Sequence, residues 1–326
     1  MNRERVLVTG GAGYIGSHVC KALAGAGFTP VTYDNLRRGH EWAVRWGPFE
    51  AGELSDRARL DEVVKTHTPL AAMHFAALTY VEESVAEPAT YYRNNVVGTL
   101  TLLEALRDNG ILAMVFSSSA AIYGVPETSP IPESHPKNPI NPYGASKAMI
   151  ERMLQDFDGA HGLRSASLRY FNAAGADPEA EIGEDHDPET HLIPLVLEAA
   201  MGLRPEIEIF GDDYDTPDGT CVRDYIHVGD LAEAHLLALK SLLDGGETLF
   251  LNLGNGDGYS VRQVIETARE VTGKEIPART GARRPGDPPV LVADAARAKK
   301  TLGWAPKRAA LETQIEDAWR WHLKHS

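Results

Sequence analysis

A doubly wound parallel α/β sheet is the fold this sequence predicts, and three observations predict it. Short apolar runs alternate with longer amphipathic stretches through the first half of the chain, the first run leads into a glycine-rich turn, and the second ends on an acid. Strands alternating with helices assemble as a parallel sheet, because each crossover needs a helix to bring the chain back.

The elements follow in chain order. Residues 5–9, 30–33, 70–75 and 112–116 read as strands, each a short apolar run bounded by turn residues. Residues 88–109 read as a helix: they open at Pro88, carry apolar residues at helical spacing and stop before Gly110. After Asn172 the texture changes, and Pro, Gly, Asp and Glu crowd 175–189, 211–219 and 282–289, which read as long loops over a site. Residues 228–243 read as a helix and 248–253 as a strand that return to the sheet. The predicted organisation is therefore a nucleotide-binding domain over 1–172 with 228–258 returning to it, and a smaller discontinuous α/β substrate domain over 173–227 and 259–326.

Composition bounds the function. The 326 residues are 43% hydrophobic and 24% charged, and no apolar run approaches the roughly 18 residues of a membrane span. A net charge of −14 argues against nonspecific nucleic-acid binding, which needs a basic face to displace phosphate counterions. An anionic ligand must instead meet locally placed arginines. Two cysteines, Cys20 and Cys221, make no disulfide framework, and the start at Met1 passes into a strand with no room for a secretory signal, so a cytoplasmic enzyme is expected.

The turn after the first strand reads Gly10-Gly11-Ala12-Gly13-Tyr14-Ile15-Gly16. Glycines there let the backbone turn tightly and approach a pyrophosphate, which then sits at the positive end of the following helix. Asp34 closes the second strand near the spacing of an acid that hydrogen-bonds ribose hydroxyls. Together they predict a Rossmann-type site, and an acid at that position repels a 2′-phosphate, favouring NAD over NADP. Arg37 and Arg38 read as solvated loop charges.

Pro142-Tyr143-Gly144-Ala145-Ser146-Lys147 opens a further helix, with Asn141 as N-cap. Tyr143 and Lys147 then share a face. A phenol with a pKa near 10 is a poor base at neutral pH, but a neighbouring ammonium and a nicotinium charge both favour phenolate. Ser117-Ser118-Ser119 follows an apolar strand, at the sheet end where ligands gather, and Ser119 is placed to share a proton with Tyr143.

Through the glycine loop, Asp34, Ser119 and Tyr143-x-x-x-Lys147, the sequence resembles the extended short-chain dehydrogenase/reductase family. More narrowly it is similar to UDP-glucose 4-epimerases. The narrower match rests on His74-Phe75-Ala76-Ala77, Tyr91-Tyr92-x-Asn94-Asn95-Val96, Leu168-Arg169-Tyr170-Phe171-Asn172, Ile209-Phe210-Gly211 and Asp218-Gly219-Thr220-x-Val222-Arg223-Asp224-Tyr225-Ile226-His227-Val228.

The resemblance implies a tightly held, recycled NAD and a UDP-sugar whose C4 is oxidised and reduced on the opposite face. Tyr143 is then the base, with Ser119 assisting and Lys147 holding the nicotinamide ribose. It implies cofactor contacts from Gly10, Gly13, Tyr14, Ile15, Gly16, Asp34, Asn35, Glu53, Leu54, Phe75, Ala76, Ala77, Thr79, Asn94, Ser117, Tyr170 and Phe171. Arg223 and Arg284 would grip the diphosphate, and Asn172, His191, Leu192, Phe210 and Asp287 would shape the uridine and phosphate site.

Three positions depart from the family pattern. Glu53 stands where Asp is usual, Thr79 where many members place a lysine near the cofactor phosphates, and Leu291 where residue size relates to tolerance of an N-acetyl group at sugar C2. The preferred sugar therefore stays open among UDP-hexose, UDP-N-acetylhexosamine, UDP-pentose and UDP-uronate. Dehydratase relatives carry Asp and Glu where this chain has Ala120 and Ala121, which argues against 4,6-dehydration, and the retained Tyr143 and Lys147 argue against a noncatalytic NAD sensor. Met149, Met153 and Phe157 recur every four residues, a stripe that with the 88–109 helix resembles the family's four-helix homodimer contact. Glu184, Asp185, His186, Asp187 and His191 show no helical or turn spacing of metal ligands, so no metal is expected, and they read as a solvated loop with His191 facing the nucleotide pocket.

Overall fold

The computed structural model describes residues 4–284 and 287–325; Met1 to Arg3, Pro285, Gly286 and Ser326 lie outside the described residues. Strands β1 (Arg5–Thr9), β2 (Thr29–Asp34), β3 (Phe49–Ala51), β4 (Ala71–His74), β5 (Ala113–Ser119) and β6 (Arg164–Tyr170) come first. An excursion then carries β7 (Asn172–Ala174), β8 (Ile207–Phe210), β9 (Val222–Arg223) and β10 (Tyr225–His227), before β11 (Leu249–Leu253). The large sheet has the order β11-β6-β5-β4-β1-β2-β3, and every neighbouring pair in it is parallel. From β1 the order runs outward to β3 and then jumps back across to β4, so a crevice opens at the carboxyl ends of β1 and β4.

Strand alternation makes two cores from one sheet. Val6 and Val8 of β1 face helices α1 (Tyr14–Gly25) and, further along, the helix Val228–Leu243, through Val19, Leu23, Leu231 and Leu239. Leu7 faces the other way, onto α2 (Arg57–His67) through Leu60, Val63 and Val64. All three β1 side chains are fully buried, as expected for a strand covered on both faces.

The stretch expected as one helix from Pro88 is more broken. Helices α3 (Val81–Ala86) and α4 (Pro88–Tyr91) lead into a π-helical turn over Tyr92–Val97 and then α5 (Gly98–Asp108). The wide turn swings Asn95 inward, where its buried amide accepts from Leu78 N and donates to Leu78 O and Ser146 Oγ. Inserted π turns are frequent at functional sites, and Asn94 lies in this one. Helix α6 (Pro142–His161) begins with Asn141 Oδ1 accepting from Gly144 N at 2.8 Å.

The remaining elements are α7 (Leu192–Ala200), α8 (Val228–Leu243), β12 (Tyr259–Ser260), α9 (Val261–Thr272), β13 (Ala278–Gly281), β14 (Val290–Leu291), α10 (Ala296–Leu302) and α11 (Leu311–His325). β13 pairs with β8, and β9 sits between β12 and β14. α7, α9 and α11 enclose a third core around Val196, Leu197, Ile265 and Ile315. Ala295, Ala298 and Trp304 nevertheless pack into the first core with α8, so the chain returns to the large sheet beyond residue 258 as well.

Candidate active site

The glycine turn leaves no space for side chains. Gly10 has φ +74°, and a Cβ added there would lie 2.5 Å from Ala76 N; one added at Gly16 would lie 2.1 Å from Gly10 O. Bare backbone at these positions brings β1, the residues after β4 and the start of α1 into contact. Gly13 caps α1 with no side chain, which leaves the positive helix end and the N–H groups around Tyr14 and Ile15 for an anion. Phe75 N and Ala76 N both donate to Thr9 O, closing the floor beside Ala77.

Asp34 ends β2 with Oδ2 accepting from Ala12 N at 3.1 Å and Oδ1 from Leu36 N at 2.9 Å. Burial pushes its carboxyl up, and these backbone donors pull it back. Asn35 Nδ2 donates to Glu53 Oε2 at 3.0 Å, so the glutamate at the departed position is held beside the acid turn, while Leu54 is buried and Thr79 exposed. A cradle that any Cβ would fill, ending on an acid suited to ribose hydroxyls, fits an NAD dinucleotide. Arg38 is not a solvated loop charge: it lies 4.6 Å over the Tyr80 ring and donates to Asp187 O.

Ser119 ends β5, while Tyr143 and Lys147 stand on the first turns of α6, which packs against that strand end. Burial raises the Tyr143 phenol, and the nearby Ser119 hydroxyl opposes the rise. Lys147 is 2% exposed, and burial lowers it to about 7. Its Nζ donates to Ser117 O at 2.7 Å and lies 5.8 Å from the centre of the Tyr143 ring. Ser117 and Tyr170 share a short hydroxyl contact, and Phe171 packs beside Ala120 and Leu291.

The second part of the chain assembles the residues expected to meet the diphosphate. Arg223 on β9 pairs with Asp287, and the Arg284 guanidinium lies 4.0 Å over the Phe210 ring. β14 sets Leu291 alongside Arg223 in register. Asn172 Nδ2 donates to Asp224 O at 3.2 Å, joining β7 to this group. Asp224 itself is buried and accepts from Asn255 N, Gly256 N and Ala293 N, which fixes two chain segments behind Arg223. Of the loop 283–287, Pro285 and Gly286 are outside the described residues.

Two features differ from the sequence reading or escaped it. His191 does not stand alone: its Nδ1 lies 2.8 Å from Oε1 of both Glu184 and Glu189, and Leu192 begins α7 beside it. The expectation of a solvated loop at 184–191 is corrected for Glu184 and Glu189, whose side chains are buried, and Glu184, His186, Glu189 and His191 converge despite their irregular spacing. Beneath the serine run lies a buried network that sequence reasoning missed. Ser118 Oγ donates to Glu151 Oε1 at 2.7 Å, Arg169 clasps both Glu151 oxygens at 2.8 Å, and Lys137 Nζ reaches Oε2 at 2.6 Å. Arg169 also donates to Tyr123 Oη, which donates to Asn252 Oδ1.

A glycine cradle at a sheet switch point, facing a serine, tyrosine and lysine, defines a nicotinamide-nucleotide enzyme that moves protons at a substrate hydroxyl. The model of the NAD dependent epimerase/dehydratase family matches residues 6–254, and the chain belongs to that family. A protein of Rhizobium leguminosarum bv. trifolii named UDP-glucose 4-epimerase is 53% identical over 324 residues, covering 99% of each chain. The crystal structure of UDP-glucose 4-epimerase from Brucella ovis in complex with NAD superposes with TM-score 0.96 at 53% identity, covering 97% of this chain and 98% of that one. The enzyme of that name from Stenotrophomonas maltophila, with bound NAD and formylated UDP-arabinopyranose, superposes with TM-score 0.96 at 41% identity, covering 99% and 98%.

Proposed function

We infer that the chain interconverts UDP-glucose and UDP-galactose by inverting C4 of the hexose through a 4-keto sugar. The observation that carries the reading is the convergence of Ser119, Tyr143 and Lys147 at the carboxyl end of β5, beside the glycine cradle. NAD, held by the cradle, Asp34 and Lys147, supplies the redox chemistry at C4 and ends each cycle unchanged.

The chain's own residues handle the proton and the turn. Tyr143 accepts the 4-hydroxyl proton, with the Ser119 hydroxyl bridging phenol and sugar oxygen, and returns it after the sugar has turned. Arg223 and Arg284 hold the diphosphate, so the keto sugar rotates about a fixed handle instead of leaving. Asp287 aligns Arg223 through their ion pair. Leu291 packs against the cluster of Ala120, Ile122, Tyr123 and Ile131, and its size would set tolerance of an N-acetyl group at sugar C2.

Incubation of the purified chain with UDP-galactose, without added cofactor, tests the reading by proton NMR. UDP-glucose should appear without accumulating NADH. Silence toward UDP-galactose, UDP-N-acetylgalactosamine, UDP-arabinose and UDP-galacturonate, even with NAD added, would overturn it. Turnover of UDP-arabinose alone would favour the pentose reading that the Stenotrophomonas ligand motivates.

The same reading extends to assembly and location. Val97 and Leu100 around the start of α5 and Met149 on α6 are 53%, 37% and 46% exposed, and pairing of these faces into a four-helix contact would cover them, making a homodimer. Sedimentation velocity at micromolar protein showing monomer alone would contradict it. Buried free thiols at Cys20 and Cys221 suit a reducing cytoplasm, and among the described residues no helix is long and apolar enough to cross a membrane.

A further inference from the structure

The loop between β7 and α7 packs over the cofactor half of the molecule. Tyr14 Oη donates to Gly175 O at 2.6 Å, Tyr80 Oη donates to Pro188 O at 2.9 Å, and His40 Nε2 lies 2.7 Å from Asp185 O. Four side chains of this loop, Glu184, His186, Glu189 and His191, bring one donor atom each to within 4.8 Å of all the others. His191 Nδ1 is 2.8 Å from both Glu184 Oε1 and Glu189 Oε1, and His186 Nδ1 is 3.0 Å from Glu184 Oε1 and 3.9 Å from Glu189 Oε2.

The shorter of these separations are hydrogen-bond lengths, and all four donor atoms lie close enough to be drawn onto one ion. Zinc binds imidazole and carboxylate at about 2.0 to 2.2 Å, which places tetrahedral donors roughly 3.3 to 3.6 Å apart. The observed distances bracket that value, so small side-chain shifts would seat an ion among them. Charge points the same way. Side chains of Glu184 and Glu189 are 6% and 8% exposed, and both pair with these two histidines, with His322 also near enough to feel their charge. Two carboxylates and two neutral imidazoles around a divalent ion leave no net charge beside the two buried glutamates, while His191 stays 44% exposed. A cavity of about 150 Å³ lined by Glu184, Asp185, His186, Glu189 and Trp321 gives an entry path.

We propose that Glu184, His186, Glu189 and His191 form a closed, four-coordinate site for a divalent transition-metal ion of the zinc class. Imidazole donors exclude magnesium and calcium as preferred occupants. Four protein ligands leave no open position, so the ion is structural: it ties the loop that packs on Tyr14, His40 and Tyr80 to His191, the cap of α7. The test of this site reads metal content and does not depend on which sugar the chain epimerises.

Metal content of the full chain, purified without a polyhistidine tag and titrated with zinc chloride before desalting, tests this directly. A single zinc ion per chain should remain, with a higher melting temperature than the chelator-treated protein. Cobalt in its place should give the intense visible absorption of a tetrahedral centre. His186→Ala and Glu189→Gln should each weaken zinc binding on the order of tenfold or more. Should a variant fail to fold, zinc stoichiometry and the cobalt spectrum of the unaltered chain decide. Wild-type chain that keeps no zinc and shows no thermal shift would overturn the site in favour of a histidine–carboxylate ion-pair cluster, as would variants that hold as much zinc as the wild type.

Discussion

Burial at the active site works against charge on both partners of the proton-handling pair. It raises the phenol of Tyr143 and lowers the ammonium of Lys147 to about 7, so the cofactor-free site rests near neutrality and the phenolate depends on positive charge brought by the bound nucleotide. Tyr143→Phe keeps the ring and removes the proton acceptor; kcat should fall by about 10²- to 10⁴-fold with little change in KM for UDP-galactose, measured by coupled assay. A smaller loss would move the base elsewhere. Lys147 also leaves a mark on stability. Its folded value of about 7 lies below the ordinary 10.5 of the unfolded chain, so between those limits the unfolded chain binds the extra proton and stability rises with pH. Urea midpoints of the cofactor-free chain should therefore climb between pH 7 and 9 more steeply in the wild type than in Lys147→Met. Equal slopes would show that the ammonium is not desolvated.

Whole elements hold these groups in place, and the decisive tie is the Glu151 network. Glu151 on α6 is fully buried and joins Ser118 of β5, Arg169 of β6 and Lys137, so the helix carrying Tyr143 is fastened to the strand carrying Ser119. Removing one partner of a buried ion pair leaves the other uncompensated, at a cost of about 3 to 5 kcal/mol. Glu151→Gln should lower stability on that order by urea denaturation and lower kcat through misplacement of α6; unchanged stability would mean that Lys137 and Arg169 find water instead. This network also shows where sequence reading ends. Gly10 to Gly16, Asp34 and the Tyr143 to Lys147 spacing are legible because turn conformation and helix geometry are local. Glu151 and Arg169 lie on different elements, and nothing in either's neighbours announces a partner that appears only when β6 pairs with β5. The convergence at Glu184, His186, Glu189 and His191 was hidden for the opposite reason: the residues are close in sequence, but an irregular loop offers no period from which to infer a shared point. Likewise, the π turn at Tyr92–Val97 leaves the apolar spacing of a helix almost intact, so the sequence reads as uninterrupted.

At the scale of the whole molecule, the sheet interior is lined with histidines that folding keeps neutral. His74 lies between the Thr9 and Thr99 hydroxyls, while His18 and His235 each bond a backbone carbonyl and leave Nε2 without a partner. Burial lowers them to about 3, 4 and 4, against 6.5 in the open chain. In that window the unfolded chain takes up protons that the folded chain refuses, so stability is lost as pH falls from 6.5 toward 4. His235 lies tilted against Phe75, ring centres 4.9 Å apart, beside the cofactor floor and meets Tyr170 edge-on, which ties this acid sensitivity to the site itself. His235→Phe fills the same space without a titrating group and should make the pH dependence of the urea unfolding free energy shallower by up to one proton's worth, roughly 1.4 kcal/mol per pH unit. An identical acid slope in wild type and variant would mean that the ring is protonated in place, and that the interior around Phe75 admits water and charge.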